Sequence, residues 1–298
     1  MLLIAGTVPI PDLPLTIGKV SLNHAFLEIE GHRIPCTQGT AAMISAAAVT
    51  TNYLGIDPPQ ALLAGDTGKG KGSHELYEYL IKNIAEICPQ TLALHYCLPD
   101  IGLMRRLCEA VTQYAQRPVM IADAASMYAA KAAYKAQEFD IFTPDASEMA
   151  FLADPEATHP AYIARHLFNT EASDIPELIK AAYINKGSAK HLLIKGALDY
   201  IVRDGEILET VSQPDVPQLE AIGGTGDTIT GMVAAFMDAE LEPHEACIIA
   251  AKANRAAGQY ASTTPATSVR QVIEHLPHIF KENLCQWSGV CYIEGGKQ

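Results

Sequence analysis

Seven short apolar runs punctuate the chain, each bounded by Gly, Pro, Asp or a polar residue, with longer stretches of helical spacing between them. A mainly parallel sheet with crossover helices requires this rhythm, because each strand is buried on both faces and each return runs through a helix. The predicted strands are Leu2–Ala5, Ala61–Ala64, Leu92–Tyr96, Val119–Ala122, Ile141–Thr143, Leu192–Lys195 and Tyr200–Arg203. In the segment from Ser73, Leu76, Tyr79, Leu80, Ile84 and Ile87 fall on one helical stripe, and after Asp227 so do Ile229, Met232, Val233 and Phe236. An α/β fold is expected.

One segment breaks the rhythm. VSLNHAFLEIEGHRIPC reads as two β-rich runs around Glu30, Gly31 and His32 with no helix following, which predicts a small β lid inserted at about residues 13–38. Its apolar positions Val20, Leu22 and Phe26 hint at a partner surface and hence a homodimer. No composition break marks a second domain, so residues 1–280 are expected to form one unit, with 281–298 as a tail where periodicity is lost.

Composition removes several function classes. With 21 Lys+Arg against 34 Asp+Glu, the net charge of −13 leaves no broad basic surface for a phosphate backbone, so nucleic acid is not an expected partner. No strongly apolar run is long enough to span a bilayer, and MLLIAGTVPI lacks a basic leader while Pro9, Pro11 and Pro14 follow, so neither a membrane nor an export signal is indicated. None of the seven Cys forms a CxxC pair, and buried thiols in a reducing cytoplasm are expected. GDTGKGKGS invites a P-loop reading, but residue 72 is Gly where the motif needs Ser or Thr for Mg2+. Lys69 and Lys71 then belong to a basic loop near an anion or simply to solvent. No strand is followed by GxGxxG, which excludes a Rossmann fingerprint. His24, His95 and Cys97 lack metal-ligand spacing and read as buried, satisfied side chains.

The segment AIGGTGDTITG runs a Gly-rich turn directly into an amphipathic helix. Gly223, Gly224, Thr225 and Gly226 offer backbone N–H groups to an anion, and the helix N-terminus adds about half a positive charge. Asp227, in the first turn, either caps the helix or takes a proton from a substrate hydroxyl.

GGTGDTITGMVAAF resembles the glycine-aspartate signature of the ribokinase-like superfamily, in the wording of its NAD(P)H-hydrate dehydratases. The resemblance implies a ribokinase-like fold, Asp227 as catalytic base and Gly224–Gly226 as an anion hole. FTPDASEMAFL is similar to a Thr-Pro-x-x-x-Glu segment whose glutamate helps hold Mg2+, matching Glu148, with Asp145 beside it. The same pair also fits a helix cap, with Asp first and Glu three residues later. LLIKGALDYIV resembles the segment before the nucleotide site, implying nucleotide contacts from Lys195 and Gly196, although a lysine at a strand edge more often meets only solvent. Asp123, in VMIADAAS, stands at a strand's carboxyl end, where ligands bind in open α/β sheets.

The N-terminal third is similar instead to the sugar kinases: MLLIAGTVPIPDL, QGTAAMISAAAVTTNYLG and LLAGDTGKGKG match at Gly6, Asp12, Gly39, Gly65 and Asp66. That likeness implies substrate contacts from Asp12, Gly39 and Thr40, while Gly65 and Asp66 also suit a plain tight turn. The dehydratases' Gly-Pro-Gly-Leu-Gly turn, which contacts the hydrated dinucleotide, is absent after LHYCLPDIG. The resemblance as a whole implies phosphorylation of a small-molecule hydroxyl by ATP or ADP with Mg2+, as an NAD(P)H-hydrate dehydratase. The alternatives are a sugar or vitamin-precursor kinase and a nucleotide sensor without turnover.

Overall fold

The structure, a computed structural model, describes residues 1–23, 25–113, 116–157 and 174–288. Its strands are β1 (Leu2–Val8), β2 (Thr16–Lys19), β3 (Ser21–Asn23), β4 (Phe26–Ile29), β5 (His32–Pro35), β6 (Gln60–Gly65), β7 (Thr91–His95), β8 (Val119–Asp123), β9 (Ile141–Phe142), β10 (His191–Ile194), β11 (Asp199–Arg203) and β12 (Glu206–Val211). Among the described residues the main sheet runs β12-β11-β10-β9-β8-β7-β1-β6-β2. The strands from β10 to β6 in that order are parallel, and antiparallel partners finish both ends. All seven predicted strands are present. The α/β expectation holds.

Burial follows from the sequence pattern. All seven residues of β1 are buried, with Leu2 and Ile4 in one apolar cluster and Leu3 and Ala5 in the other. Alternate side chains therefore face opposite layers of helix. One layer holds α1 (Thr40–Leu54), α7 (Thr225–Asp238), α8 (Pro243–Tyr260) and α9 (Val269–Ser288). The other holds α2 (Lys71–Ile87), α3 (Ile101–Thr112), α4 (Ala125–Ala132), α5 (Ala146–Ala153) and α6 (Ile175–Ile184).

Helices α1 and α7 are buried nearly all round and pack closely on each other. A Cβ at Gly231 would sit 2.1 Å from the Met43 carbonyl oxygen, so the last glycine of AIGGTGDTITG is what permits this crossing. The packing brings the two helix N-termini to the same end of the sheet.

Three features differ from the sequence reading. The inserted segment forms three strands, β3-β4-β5, and β2 joins the main sheet against β6, so the free-standing sheet is narrower than 13–38. Leu27, Ile29 and Ile34 hold it against the α1 layer. Of the three apolar positions expected to face a partner, Val20 is buried, Phe26 is half-buried with the Arg33 guanidinium 4.3 Å from its ring centroid, and Leu22 is exposed. At the other terminus, α9 continues past Lys281 to Ser288 because Leu284 extends the stripe of Ile273, Leu276 and Phe280. Finally, Cys36, Cys97, Cys108 and Cys247 are buried free thiols as expected, but Cys88 is exposed and Cys285 is disulfide-bonded. His24 lies outside the described residues. No helix among the described residues is long and apolar enough to cross a membrane.

Candidate active site

The carboxyl ends of four adjacent parallel strands converge on one cleft. His95 ends β7 and stands in register with Asp123, which ends β8. Just past β9 and β10, Asp145 and Lys195 form a parallel bridge. Opposite them lies the start of α7, where Gly224 takes a left-handed conformation (φ 100°) and delivers the chain into Thr225, Gly226 and Asp227. The first N–H groups of a helix have no intrahelical acceptor, so this end presents free donors and positive potential. The cleft between has a volume of about 580 Å3.

Asp227 occupies the floor with 14% of its side chain exposed. Its Oδ1 lies 3.0 Å from His95 Nε2, and its Oδ2 accepts the Gly39 N–H at 2.6 Å. Its carboxylate makes no side-chain cap bond to α7, which sets aside the capping alternative. Burial pushes the carboxyl up, but the hydrogen bond and field of His95, the charge of Lys195 and the Gly39 N–H outweigh it and hold Asp227 below the ordinary carboxylate range. A carboxyl must be ionised before it can accept a proton, and this environment favours the ionised form.

Lys195 is not a solvated edge lysine. Its Nζ lies 3.0 and 2.9 Å from the two Asp123 oxygens, with 13% and 2% of the two side chains exposed. Burial pulls the ammonium down, while Asp123 and Glu148 hold it well above its usual value, so it stays charged beside Gly226. Asp123 also accepts from Thr230 Oγ1 at 2.6 Å. His95, Asp123 and Asp227 bring their ligand-type atoms within 4.8 Å of one another. Lys195 already places a cation against this group.

Asp145 and Glu148 form a reciprocal cap on α5: Asp145 Oδ1 accepts the Glu148 N–H, and Glu148 Oε2 accepts the Asp145 N–H, both at 2.8 Å. Glu148 Oε1 accepts from Tyr128 at 3.1 Å. Burial, then the carboxylates of Asp145 and Asp123, push Glu148 up to about 8, against the pull of Lys195. Both carboxyl groups line the cleft, so the cap and an outlying cation site are compatible.

The remaining expected positions divide. Gly196 lines the cleft, and Thr225 does so while its hydroxyl turns back onto the Leu219 and Ile222 carbonyls. Gly223 is exposed and not among the lining residues. Gly39 and Thr40 act from behind: Gly39 through Asp227, and Thr40 through its hydroxyl, 3.0 Å from His95 Nδ1. Asp12 is exposed in the turn after β1 and also outside the lining. Asp66 is a turn residue. Its Oδ1 accepts the N–H groups of Gly68, Lys69 and Gly70 at 2.9–3.0 Å, and its Oδ2 accepts that of Ser73 at 3.1 Å. The nest of donors that suggested a phosphate loop is thus filled by the chain's own carboxylate, and the Lys69 and Lys71 side chains are exposed.

Sequence reasoning missed four lining or supporting residues: Tyr96, Asn254, Arg255 and, as a site residue, His95. Tyr96 follows β7 with a positive φ of 50°, and its ring stands edge-on to His95 with centroids 4.5 Å apart. Asn254 Oδ1 accepts from Thr228 in the first turns of α7 at 2.7 Å. Arg255 donates to the Gly196 and Ala197 carbonyls at 2.8 and 2.9 Å, fixing the segment after Lys195. His95 was discoverable by the strand-end rule that singled out Asp123.

A carbohydrate-kinase family model, described as NAD(P)H-hydrate dehydratase, matches residues 97–278. An uncharacterized protein of Methanocaldococcus jannaschii is 34% identical over 242 residues, covering 81% of this chain and 100% of that protein. A bifunctional NAD(P)H-hydrate repair enzyme of Hyperthermus butylicus is 36% identical over 118 residues, but the match spans only 37% of this chain and 21% of that enzyme. Among solved structures, the ADP/ATP-dependent NAD(P)H-hydrate dehydratase of Bacillus subtilis superposes with a TM-score of 0.55 at 15% identity, covering 94% of this chain and 88% of that one. Phosphofructokinase-2 of Escherichia coli gives 0.52 at 15% identity, covering 94% and 99%. These two likenesses concern the fold. With the family model matching more than half of its length, and Asp227 at the helix start where the glycine-aspartate signature places it, the chain belongs to the NAD(P)H-hydrate dehydratase family of ribokinase-like enzymes.

Proposed function

We propose that this enzyme transfers a phosphoryl group from ATP or ADP to the hydroxyl of a hydrated nicotinamide ring, restoring NAD(P)H. The observation that carries the reading is Asp227, held ionised at the mouth of a helix N-terminus with the Lys195 ammonium beside it. Asp227 accepts the hydroxyl proton as the substrate oxygen forms its bond to phosphorus and the bond to the leaving nucleotide oxygen breaks. The α7 N–H groups and Lys195 stabilise charge on the phosphoryl oxygens. The ring-nitrogen lone pair then expels phosphate to give an iminium, and loss of a proton from the adjacent ring carbon to water restores the carbon–carbon double bond of the reduced nicotinamide.

The residues around Glu148 fit Mg2+. Three carboxyl groups, those of Glu148, Asp145 and Asp123, crowd one side of the cleft against the single charge of Lys195, and hard oxygen ligands with excess negative charge suit this ion. Glu148 and Asp145 would hold it, and when bound it would neutralise charge on the nucleotide phosphates.

The test supplies hydrated NADH with Mg2+ and either nucleotide and follows the return of reduced-nicotinamide absorbance. Recovery that needs nucleotide and is lost in Asp227→Asn supports the proposal, and identifies the donor. No recovery, with nucleotide still bound, overturns the repair reading. A kinase for a sugar or vitamin-precursor alcohol is then favoured, a reading to which the separate β3-β4-β5 sheet lends support.

A further inference from the structure

We infer that His95 is a positioning residue that aims Asp227 and keeps it a carboxylate; the inference rests on the reading of Asp227 as the base. His95 is wholly buried at the end of β7, and its ring is held at both nitrogens. The hydrogen count behind it is decisive. Thr40 Oγ1 carries one hydrogen and lies 2.7 Å from the Thr7 carbonyl oxygen, which only accepts. That hydrogen goes to Thr7, so toward His95 Nδ1, 3.0 Å away, the Thr40 oxygen is an acceptor and Nδ1 bears the hydrogen.

The other nitrogen, Nε2, is thereby directed at Asp227 Oδ1, 3.0 Å away. A bare ring nitrogen and a carboxylate oxygen would repel at that distance, so a proton lies between them. With the Gly39 N–H on Oδ2, the carboxylate is gripped by donors from two separate elements, the end of β7 and the start of α1. Its plane cannot turn without breaking one of them.

The charged and titratable groups facing His95 are few. Besides Asp227 they are Asp123, whose Oδ2 is 3.8 Å from Nε2 and which is itself neutralised by Lys195, and the Tyr96 ring, edge-on to the imidazole. Glu148 lies farther out, on the Lys195 side. Among the described residues, Asp227 is therefore the only carboxylate that His95 contacts at hydrogen-bond distance.

Two variants and two kinds of readout test this. Losing a general base costs about 10²–10⁴-fold, and losing only its alignment costs part of that. His95→Leu is expected to lower kcat about 10- to 100-fold with little change in KM, and to move the acid limb of kcat/KM to higher pH. His95→Gln, whose amide can still donate to Asp227, is expected to recover part of both. A purely structural role would lower the amount of folded enzyme without moving the limb.

The second readout needs no turnover. The Asp227 carboxyl carbon, assigned by its loss in Asp227→Asn, is followed by NMR through a pH titration. An upward shift of its midpoint in His95→Leu, smaller in His95→Gln, supports the inference whatever the substrate proves to be. An unmoved midpoint in folded His95→Gln and His95→Leu, or a wild-type 15N spectrum in which Nδ1 of His95 bears no hydrogen, overturns it. Failure of the hydrated-NADH assay with a shifted midpoint would count against the proposed substrate and leave the role of His95 standing.

Discussion

Arg255 Nε lies 2.7 Å from Asp199 Oδ2, and less than a tenth of either side chain is exposed. Burial nevertheless pushes the Asp199 carboxyl up, even with Arg255 and the Gly196 N–H drawing it down. The pair therefore serves as a clamp. Its guanidinium spans from the antiparallel end of the sheet to the Gly196 and Ala197 carbonyls, and so fixes where Lys195 emerges.

Removing one partner of such a pair leaves a buried charge uncompensated, at about 3–5 kcal/mol. Arg255→Met is expected to lose stability on that scale in urea unfolding at pH 7, and to bind nucleotide more weakly. The double variant Arg255→Met/Asp199→Asn should recover much of the stability but not the binding. Equal losses in the single and double variants would refute the clamp.

Lys195→Met is expected to separate stability from activity. It strands Asp123 with Thr230 and the Ala124 N–H as its main remaining donors. Adding Asp123→Asn removes the stranded charge and should restore the melting temperature, while turnover stays low because no ammonium faces the transferred phosphoryl group. Restored turnover in the double variant would show that Lys195 only balances Asp123.

Gly231→Ala tests whether the helix crossing tunes the site. Its new methyl would meet the Met43 backbone at 2.1 Å, so α1 and α7 must part. The expected cost is about 1–3 kcal/mol in unfolding experiments. A fall in kcat should accompany it, because α1 carries the Gly39 and Thr40 contacts to Asp227 and His95. A fully active, destabilised variant would show that the two are uncoupled.

Asp66→Asn gives a pH-dependent prediction. Burial works to raise this carboxyl, but the N–H groups of Ser73, Gly70 and Lys69 hold it below its ordinary value. A depressed folded value means that the stabilisation is complete above the ordinary carboxylate range and fades as pH falls through the lowered one. The variant should therefore be about 1 kcal/mol less stable at pH 7 and converge with the parent once the pH falls below the lowered carboxyl range. Nucleotide affinity should not change. A constant deficit across that range would mean that ionisation of Asp66 contributes nothing.

The sheet was legible in the sequence because its parallel strands are buried on both faces and so appear as unbroken apolar runs. β12 escaped notice because five of its six residues are exposed and its sequence, EILETV, has no strict alternation. The Gly-rich turn and Asp227 were readable because local chain geometry and chemistry coincide there. Arg255 was not, since AAKANRAAG carries no local mark of a partner 56 residues away. His95 was noticed and set aside as a satisfied buried side chain. That description is correct, but what satisfies it is Asp227, the proposed base. Asp12 shows the opposite case, a motif match whose side chain sits in solvent.

The exposed outermost strand has a consequence for how copies of this enzyme meet. β12 offers one open backbone edge, yet Glu206 and Glu209 stand along it in a chain of net charge −13. Two molecules pairing edge to edge would bring those carboxylates toward each other, with Glu209 held only loosely by Lys252, whose Nζ is 4.0 Å away. Like charge along an outermost strand works against continuing a sheet into a second molecule, and β12 carries it.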